Sequence, residues 1–292
     1  MKIPIASSEL LLNPDGSIYH LHLKPGQVAS DILLVGDPDR VDLIASFFNH
    51  IEFRIQNREF ITITGLYHKK RITVISTGIG TDNIDIVVNE LDALVNIDFQ
   101  TREIKDQKTS LNLIRIGTSG SMQAEIPINS FLISQKAIGF DGLMNFYANR
   151  DQFSDNLFED SFKKHTAWNS LLASPYVVNC SKKLYDKIFD QNFISGITIS
   201  APGFYGPQGR ILRLDLVDQD INAKIESFRF KDMSITNYEM ECSAIYGLSH
   251  LLGHQALTVC LIIANRVTLQ ASINYKEKMK ELVTILLDRM SK

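Results

Sequence analysis

Short apolar runs alternate with amphipathic segments along almost the whole chain, and small or polar residues follow most of the apolar runs. Residues 31–35 form one such run, and Gly36, Asp37 and Pro38 then supply a turn, a helix cap and a residue suited to the first helical turn. Alternating strands and helices are typical of α/β folds, in which helices cover both faces of a sheet. The pattern therefore predicts a three-layer α/β/α architecture with a mixed, largely parallel twisted sheet.

The same signals set the expected limits of the elements. The predicted strands cover residues 31–35, 60–64, 71–77, 111–116, 131–137, 195–201 and 256–264. The predicted helices cover residues 38–48, 82–95, 178–189, 242–252 and 275–290. Turns or loops are expected at Gly65 and at residues 117–120 and 202–210. Residues 96–110 are expected to form a surface excursion, and residues 139–167 a flexible insertion.

Size and composition narrow the class of protein. A chain of 292 residues can form one large α/β domain without disulfides or metals, and its net charge of −3 gives no reason to expect nucleic acid as a partner. Cys180, Cys242 and Cys260 are odd in number and widely spaced, which is typical of buried thiols in a reducing cytoplasm. The first four residues lack the apolar region of a secretory signal, and no apolar run approaches the ~18 residues of a membrane span. We therefore expect a cytoplasmic protein without a membrane partner.

Two arginines mark a candidate anion site. Ligands of open α/β sheets bind beyond the carboxyl ends of the strands, so polar residues just after each apolar run are candidates for chemistry. Arg40 stands near a predicted helix start, and Arg115 lies beside the small-residue stretch that contains Thr118. Two guanidinium groups, backbone N–H groups and a hydroxyl together suit an oxyanion such as inorganic phosphate. Either arginine alone would more often form a surface salt bridge, so the prediction depends on their occurring together.

Residues 237–241, Asn-Tyr-Glu-Met-Glu, precede a predicted helix and carry two acids. Glu239 has a structural explanation, because Thr236 and Glu239 have the spacing of a capping box. Glu241 falls in line with Ile245 on the face that should be buried, so its carboxylate needs hydrogen-bond donors. A polyol ligand is a natural source of such donors. Glu241 is therefore the stronger candidate for ligand binding.

Three partial motifs suggest other classes, and each lacks a residue that its class requires. Residues 78–83 lie between a strand and a helix like a dinucleotide-binding loop, but Asn83 replaces the third glycine. Residues 117–121 resemble a nucleophile elbow without its last glycine or a matching histidine, so a serine hydrolase is not expected. His20 and His22 could share one side of a strand, but no third metal ligand is evident, and there is no Walker lysine loop.

Several short motifs, found in order between residues 19 and 266, resemble the nucleoside phosphorylases and, among them, most closely the uridine phosphorylases. The motifs are Gly36-Asp37-Pro38-Asp39-Arg40-Val41, Ser76-Thr77-Gly78-Ile79-Gly80, Arg115-Ile116-Gly117-Thr118-Ser119-Gly120, Asn237-Tyr238-Glu239-Met240-Glu241 and Ala264-Asn265-Arg266. The resemblance implies the fold of that family in a single domain over residues 1–292. It also implies phosphorolysis of uridine, with inorganic phosphate as co-substrate, no cofactor and no catalytic metal; a structural monovalent cation between subunits near Glu59 and Ser76 stays open.

The resemblance assigns site residues to three groups. It implies that phosphate is bound by Gly36, Arg40, Arg115, Thr118 and, from the neighbouring subunit, Arg58. It implies that ribose is held by Met240 and Glu241, with Glu239 nearby and His20 crossing from the partner to the 5′ hydroxyl. It places the base among Ser119, Gly120, Phe204, Gln208, Arg210, Ile263 and Arg266, with Arg115, Gln208 and Arg210 as the catalytic residues. Sites shared in this way imply at least a homodimer.

The base-binding segment of the resemblance favours a pyrimidine. Phe204, Gln208 and Arg210 keep the spacing of the uracil-binding segment, and Asn265-Arg266 stand where purine-specific relatives usually carry an aspartate. Gly206-Pro207 reverses the order common in bacterial relatives, which leaves dimer and hexamer both open. The alternatives are a phosphorylase of thymidine, deoxyuridine or a purine nucleoside, a hydrolytic nucleosidase, and a catalytically silent nucleoside-binding protein.

Overall fold

Strands and helices alternate along the chain in the computed structural model, which describes residues 3–292. The expectation drawn from the first four residues rests partly on Met1 and Lys2, which lie outside the described residues. The strands are β1 Asp31–Val35, β2 His50–Asn57, β3 Phe60–Tyr67, β4 Lys70–Ser76, β5 Ile97–Asp98, β6 Glu103–Ile104, β7 Asn112–Ser121, β8 Phe131–Gly139, β9 Tyr176–Asn179, β10 Phe193–Ser200, β11 Arg229–Phe230, β12 Met233–Glu239, β13 Gln255–Asn265 and β14 Gln270–Ala271. The helices are α1 Pro38–Ala45, α2 Thr81–Asn96, α3 Asn156–Thr166, α4 Lys182–Ile188, α5 Ile221–Ser227, α6 Cys242–Leu252 and α7 Tyr275–Ser291, with 3-10 turns at Leu143–Phe146, Arg150–Gln152 and Gly206–Gln208.

One mixed sheet forms the centre of the molecule. Its strand order is β11-β12-β10-β8-β13-β7-β1-β4-β3-β2, with β14 paired to β13 and β9 to β8. Parallel pairs join β1 to β4 and β7, β13 to β7, and β10 to β8 and β12. β12 also pairs antiparallel with β7, so β7, β13, β8, β10 and β12 close into a ring. The predicted mixed α/β fold is confirmed.

Helices cover both faces of this sheet. β1 is buried on both sides, and its side chains alternate between two apolar clusters, with Ile32 and Leu34 in one and Leu33 and Val35 in the other. The first cluster includes α2 and α6, and the second includes α1, α4 and α7. The helices therefore form layers above and below the strands. No helix within residues 3–292 is both long and apolar enough to cross a membrane.

The predicted loop at residues 117–120 is wrong, because β7 continues through it to Ser121. These small residues pair with β13 on one side, and Gly120 pairs with Tyr238 of β12 on the other. A Cβ atom added at Gly117 would lie 1.8 Å from Nη1 of Arg115, so only glycine leaves room for that guanidinium group. Sequence composition indicated a loop, but the small residues serve close packing inside a strand.

Other boundaries also differ from prediction. The predicted helix at residues 178–189 is divided, because its first residues belong to β9 and Ser181 caps α4 through its side chain. The predicted turn at Gly65 is wrong, since Gly65 lies within β3, where a Cβ atom would meet the His50 carbonyl oxygen at 2.3 Å. That carbonyl belongs to β2, an edge strand that the sequence analysis missed because most of its side chains are exposed and polar.

The two segments predicted to be irregular contain regular structure. Residues 96–110 carry the small antiparallel pair β5 and β6. Residues 139–167 contain α3, which is capped by the Asp155 side chain and buries Phe158 and Phe162 completely. The apolar face of α3 packs against α5 and β12, so this insertion is part of the core.

Candidate active site

A cavity of about 480 Å³ lies where β1, β7, β10, β12 and β13 end. Neighbouring strands end together at this edge, so loops that are distant in sequence meet there. Its lining is formed by Gly36, Asp37, Pro38, Arg40, Ile79, Arg115, Thr118, Ser119, Gly120, Phe204, Gln208, Arg210, Tyr238, Glu239, Met240, Glu241, Ile263 and Ala264. Of the predicted site residues, His20, Arg58 and Arg266 are not part of this lining.

One end of the cavity is cationic. Arg40 projects from the first turn of α1, and its Nη1 donates to the Ile116 carbonyl oxygen at 3.1 Å. Burial, together with the neighbouring charge of Arg115, lowers the pKa of Arg40. Gly36 and Thr118 complete this end of the lining. Two guanidinium groups placed near enough to repel one another favour an anion between them.

Arg115 is held by two acids inside the protein. Only 5% of Arg115 is exposed, and its Nη2 donates to Oε2 of Glu241 while Nη1 lies 3.4 Å from Oε2 of Glu239. Burial alone would lower the pKa of Arg115, but these two carboxylates outweigh it and raise that pKa. The Nε atom of Arg115 is buried and has no hydrogen-bond partner within residues 3–292. The guanidinium is therefore held in place, and its Nε–H remains available to donate to a ligand.

Glu241 occupies the cap position before α6, but its side chain turns away from that helix. Its Oε1 accepts from the backbone N–H of Gly80 at 2.8 Å, and its Oε2 accepts from Arg115. Gly80 has φ +99°, a conformation that side chains disfavour, and it precedes α2. The carboxylate thus joins two loops at the cavity wall, and it lies on the buried side as the helical pattern predicted.

Thr236 and Glu239 do not form the predicted capping box. Both residues belong to β12, and α6 begins three residues after Glu239. The Glu239 carboxylate nevertheless caps that helix, because it accepts from the backbone N–H groups of Glu241 and Cys242 at 2.9 and 3.0 Å. The Ser200 hydroxyl is a further donor at 2.5 Å. Burial raises the pKa of Glu239, while the surrounding donors and Arg115 favour its charged form.

The opposite end of the cavity is built on the loop after β10. Arg210 donates to the Phe204 carbonyl oxygen at 2.6 Å and to the side-chain oxygen of Gln208. The Arg210 guanidinium carbon lies 3.9 Å from the centre of the Phe204 ring, which is close enough for a cation–π interaction. Phe204 is 51% exposed, whereas Gln208 is buried. Three of the seven residues predicted to bind a base, Phe204, Gln208 and Arg210, therefore form one contiguous group.

Tyr238 is a lining residue to which the sequence analysis gave no role. It is buried, and its hydroxyl has no hydrogen-bond partner in the described protein. The Arg266 guanidinium lies 5.4 Å from the Tyr238 ring, and Arg266 Nη1 is also buried without a partner. Burial raises the pKa of Tyr238, so the phenol stays neutral and can donate or accept a hydrogen bond. The sequence carries no separate signal for it, because residues 235–239 of β12 are all buried and show no alternation.

His20 and Arg58 lie near each other but are not part of the cavity wall. The Arg58 guanidinium is 5.7 Å from the ring of Tyr19, and the Asn57 side chain donates to the His20 carbonyl oxygen at 2.7 Å. Nδ1 of His20 is 2.6 Å from Oε1 of Glu90, which also accepts from the His20 backbone. Arg58 is exposed, with φ +52°. These two predicted residues therefore form a separate surface cluster within one chain.

Asn265, the last residue of β13, is turned inward, and its side-chain amide has hydrogen-bond partners on both its nitrogen and its oxygen. Its amide group donates to the carbonyl oxygens of Gln123 and Ile126, each at 2.9 Å. Its side-chain oxygen accepts from the backbone N–H groups of Val267 and Thr268. The acids that line the cavity are Asp37, Glu239 and Glu241. Within residues 3–292 no three His, Cys, Asp or Glu side chains are grouped to hold a metal ion.

Comparison with known proteins identifies the class to which this fold and cavity belong. The phosphorylase superfamily model matches residues 31–290, and the chain belongs to that superfamily. A uridine phosphorylase of Thermococcus kodakarensis is 30% identical over 90% of this chain and 82% of its own length. A DeoD-type purine nucleoside phosphorylase of Listeria welshimeri is 29% identical over 83% of this chain and 85% of its own length. The crystal structure of a Trypanosoma brucei nucleoside phosphorylase with uridine phosphorylase activity matches with a TM-score of 0.88 at 28% identity, covering 97% of this chain and 99% of that chain.

Proposed function

We propose that the protein is a uridine phosphorylase, a pentosyltransferase that converts uridine and phosphate reversibly into uracil and ribose 1-phosphate. One observation carries the proposal: a single cavity of about 480 Å³ is lined by Arg40 and Arg115, by Glu239 and Glu241, and by the aromatic side chains of Phe204 and Tyr238. These three kinds of group match phosphate, a ribose diol and a heterocycle. The superfamily and the relatives with uridine phosphorylase names support the same reaction.

The cationic end would bind and position phosphate. Arg40, Arg115, Thr118 and the Gly36 backbone lie around it, and Nε of Arg115 lacks a protein partner. Phosphate held there would stabilise positive charge that develops at the sugar C1′ and then attack this carbon with inversion. Glu241 and Met240 in the middle of the cavity would hold the ribose, and Glu241 would accept from its hydroxyl groups. Glu239 would act from behind Arg115, because its oxygens are already occupied by donors.

The other end would stabilise negative charge on the departing uracil. Gln208 and Arg210 offer an amide and a guanidinium group, and Phe204 offers an exposed ring for stacking. Ser119, Gly120, Ile263 and Arg266 would complete the base-binding surface. A purine enzyme that protonates its leaving base needs an acid at this end. At the end of the last long strand this chain has Asn265, which is turned away and satisfied by backbone groups, and Arg266; neither is an acid, which favours a pyrimidine.

Subunit sharing explains the positions of His20 and Arg58. Both lie outside the cavity of their own chain, where Arg58 is exposed and His20 is half-buried. We propose a homo-oligomer in which these residues complete a partner's site, with His20 at the ribose 5′ hydroxyl and Arg58 at phosphate. The mechanism assigns phosphate as co-substrate and uses no cofactor. A single phosphorylase domain working in the cytoplasm fits this role.

The test follows release of free base spectroscopically from uridine, deoxyuridine, thymidine and inosine, with and without phosphate. We expect phosphate-dependent release, fastest from uridine. Release without phosphate would indicate a nucleosidase, and preference for inosine would indicate a purine enzyme. No release from any nucleoside, in a protein that binds uridine, would indicate a silent binding protein. Each of these three results would overturn the proposal.

A further inference from the structure

The Ser200 side chain holds the Glu239 carboxylate from outside the cavity. Ser200 ends β10, is fully buried, and its hydroxyl lies 2.5 Å from Oε1 of Glu239. The backbone N–H of Ser243 donates to the same hydroxyl oxygen at 2.8 Å. A backbone N–H can only donate, so the single proton of the Ser200 hydroxyl is directed to Glu239. Ser200 is therefore a one-way donor to this carboxylate.

Glu239 in turn restrains Arg115. Ser200 and Glu239 are opposite one another in the parallel pair of β10 and β12, which fixes their separation. Oε2 of Glu239 lies 3.4 Å from Nη1 of Arg115, and Glu241 accepts from Nη2. Because a guanidinium is planar, holding both Nη atoms also fixes the direction of Nε. Nε is the Arg115 donor without a protein partner, so its direction bears directly on an anion in the cavity.

The donor on the far side of Ser200 is itself anchored. The Ser243 hydroxyl donates to Oδ2 of Asp141 at 3.0 Å. The Tyr176 hydroxyl lies 3.0 Å from both the Ser243 hydroxyl and Oδ1 of Asp141. Burial raises the pKa of Asp141. Ser200 thus links a buried polar network to the acid behind Arg115, and none of Ser200, Ser243, Asp141 and Tyr176 lines the cavity.

We infer that Ser200 is a positioning residue for phosphate, acting through Glu239 on Arg115. The inference rests on the proposed function, in which phosphate is the anion at this end of the cavity. Without the Ser200 proton, Oε1 of Glu239 loses a buried donor, and the carboxylate turns toward the donors that remain. The Arg115 guanidinium then shifts with the Glu239 carboxylate, so Nε donates to phosphate in a poorer geometry. Arg115 would contact phosphate directly, so we expect a smaller effect on uridine binding than on phosphate binding.

The test compares two serine-to-alanine substitutions on β10. Ser200→Ala should raise KM for phosphate about tenfold, while kcat at saturating phosphate and KM for uridine change less than about threefold. Ser195→Ala is the matched control, because Ser195 lies on the same strand and its buried hydroxyl has no hydrogen-bond partner in the described part of the chain. It should leave KM for phosphate unchanged. Ser200→Cys, which is nearly the same size but a weaker donor, should show the same selective rise if the alanine variant folds poorly.

A double substitution tests the route through Glu239. If Ser200 acts on phosphate through that carboxylate, Ser200→Ala should have no further effect on KM for phosphate in a Glu239→Gln background. Additive effects in the two backgrounds would overturn the inference. So would equal KM values for phosphate in the Ser200→Ala, Ser200→Cys and Ser195→Ala proteins.

A binding measurement separates this inference from the proposed function. The thermal stabilisation of the wild-type protein by phosphate alone, without nucleoside, gives a phosphate affinity that needs no turnover. We expect the midpoint of this titration to shift about tenfold in Ser200→Ala and not in Ser195→Ala. If the Ser200→Ala midpoint did not shift while the wild-type protein carried out phosphorolysis, the role of Ser200 would be overturned and the proposed function would stand. Absence of both stabilisation and phosphorolysis in the wild type would overturn the proposed function and this inference with it.

Discussion

The two ends of the cavity are built in different ways. At the cationic end, buried charges on strand ends restrain one another, and Arg115 is held between Glu239 and Glu241. At the base end, Phe204 and Arg210 belong to a loop, contact mainly each other and are partly exposed. The buried charges of the cationic end hold one another in place without a ligand. Removal of one of them would leave another buried and unpaired.

This difference separates the reaction from the choice of substrate. The cationic end would set the position of phosphate, and a change there should affect every nucleoside alike. The base end includes the Tyr238 hydroxyl, which has no hydrogen-bond partner within residues 3–292, and a loop on which Phe204 is half exposed, so a change there should affect one base more than another. The predictions below test this separation.

The largest effect is expected from Arg115→Ala. Loss of the guanidinium removes a phosphate ligand and leaves two carboxylates buried without their partner, so kcat/KM should fall on the order of 10²–10³-fold for all nucleosides. Steady-state kinetics with uridine and deoxyuridine, together with thermal denaturation, measure both consequences. The control is Arg54→Ala, which removes an exposed ion pair with Asp42 and should leave activity unchanged. A folded Arg115→Ala protein with near-normal activity would rule out the phosphate site.

The next effect is expected from Arg210→Ala. Removal of this guanidinium takes away stabilisation of the departing base, so uridine phosphorolysis should slow on the order of 10²-fold. The free energy of unfolding should change little, since Arg210 lies on a partly exposed loop. Arg213→Ala, an exposed arginine of the same loop, is the matched control. If Arg210→Ala kept near-normal turnover of uridine, the base end would be wrongly assigned.

A smaller effect is expected from Glu241→Gln, which changes a proposed ribose ligand and also weakens the support of Arg115. The substitution keeps the size of the side chain but removes the charge that accepts ribose hydroxyl groups, so KM for uridine should rise about tenfold. Glu239→Gln should raise KM for uridine less, because its carboxylate accepts from Ser200 and from the N–H groups of Glu241 and Cys242, whereas Glu241 accepts only from Gly80 and Arg115 among residues 3–292. The two variants are compared by initial rates at saturating phosphate. Equal increases in KM would contradict the distinction between the two acids.

The smallest effect is expected from Tyr238→Phe. The hydroxyl has no protein partner, so its removal should leave the melting temperature unchanged or raise it slightly. If the hydroxyl contacts the base or a water beside it, KM for uridine should rise about threefold while KM for phosphate stays constant. Tyr67→Phe is the control, because the Tyr67 hydroxyl donates to Asp288 and neither residue lines the cavity. A larger rise in KM for phosphate than in KM for uridine would contradict this assignment and place Tyr238 at the phosphate end of the cavity.

The elements that the sequence predicted well are those with strong local signals. The α1 start at Pro38, the Asp37 cap and the end of α6 at Gly253 are as predicted, because side-chain caps and left-handed glycines act within a few residues. The continuation of β7 through residues 117–120 was missed, since it depends on pairing with β13 and β12. Pairing between distant strands leaves no local pattern in a run of small residues.

The candidate site was predictable in its composition but not in its internal contacts. Polar residues after apolar runs, together with a family resemblance, led to thirteen residues that now line one cavity. The bond from Gly80 to Glu241 and the support of Glu239 by Ser200 could not be predicted, because each joins segments 161 or 39 residues apart. Tyr238 was missed because an aromatic residue in a buried strand is most simply interpreted as core.

The closed ring of β7, β13, β8, β10 and β12 limits how this protein can be altered. Each strand of the ring has a hydrogen-bonded neighbour on both sides, so a shift of one strand disturbs two interfaces at once. Arg115 and Glu239 are carried by strands of this ring, whereas Phe204 and Arg210 are carried by a loop that leaves it. Directed evolution toward new nucleosides should therefore accumulate changes in residues 202–210 and around Arg266. Libraries that vary the ring strands should return mostly unfolded proteins.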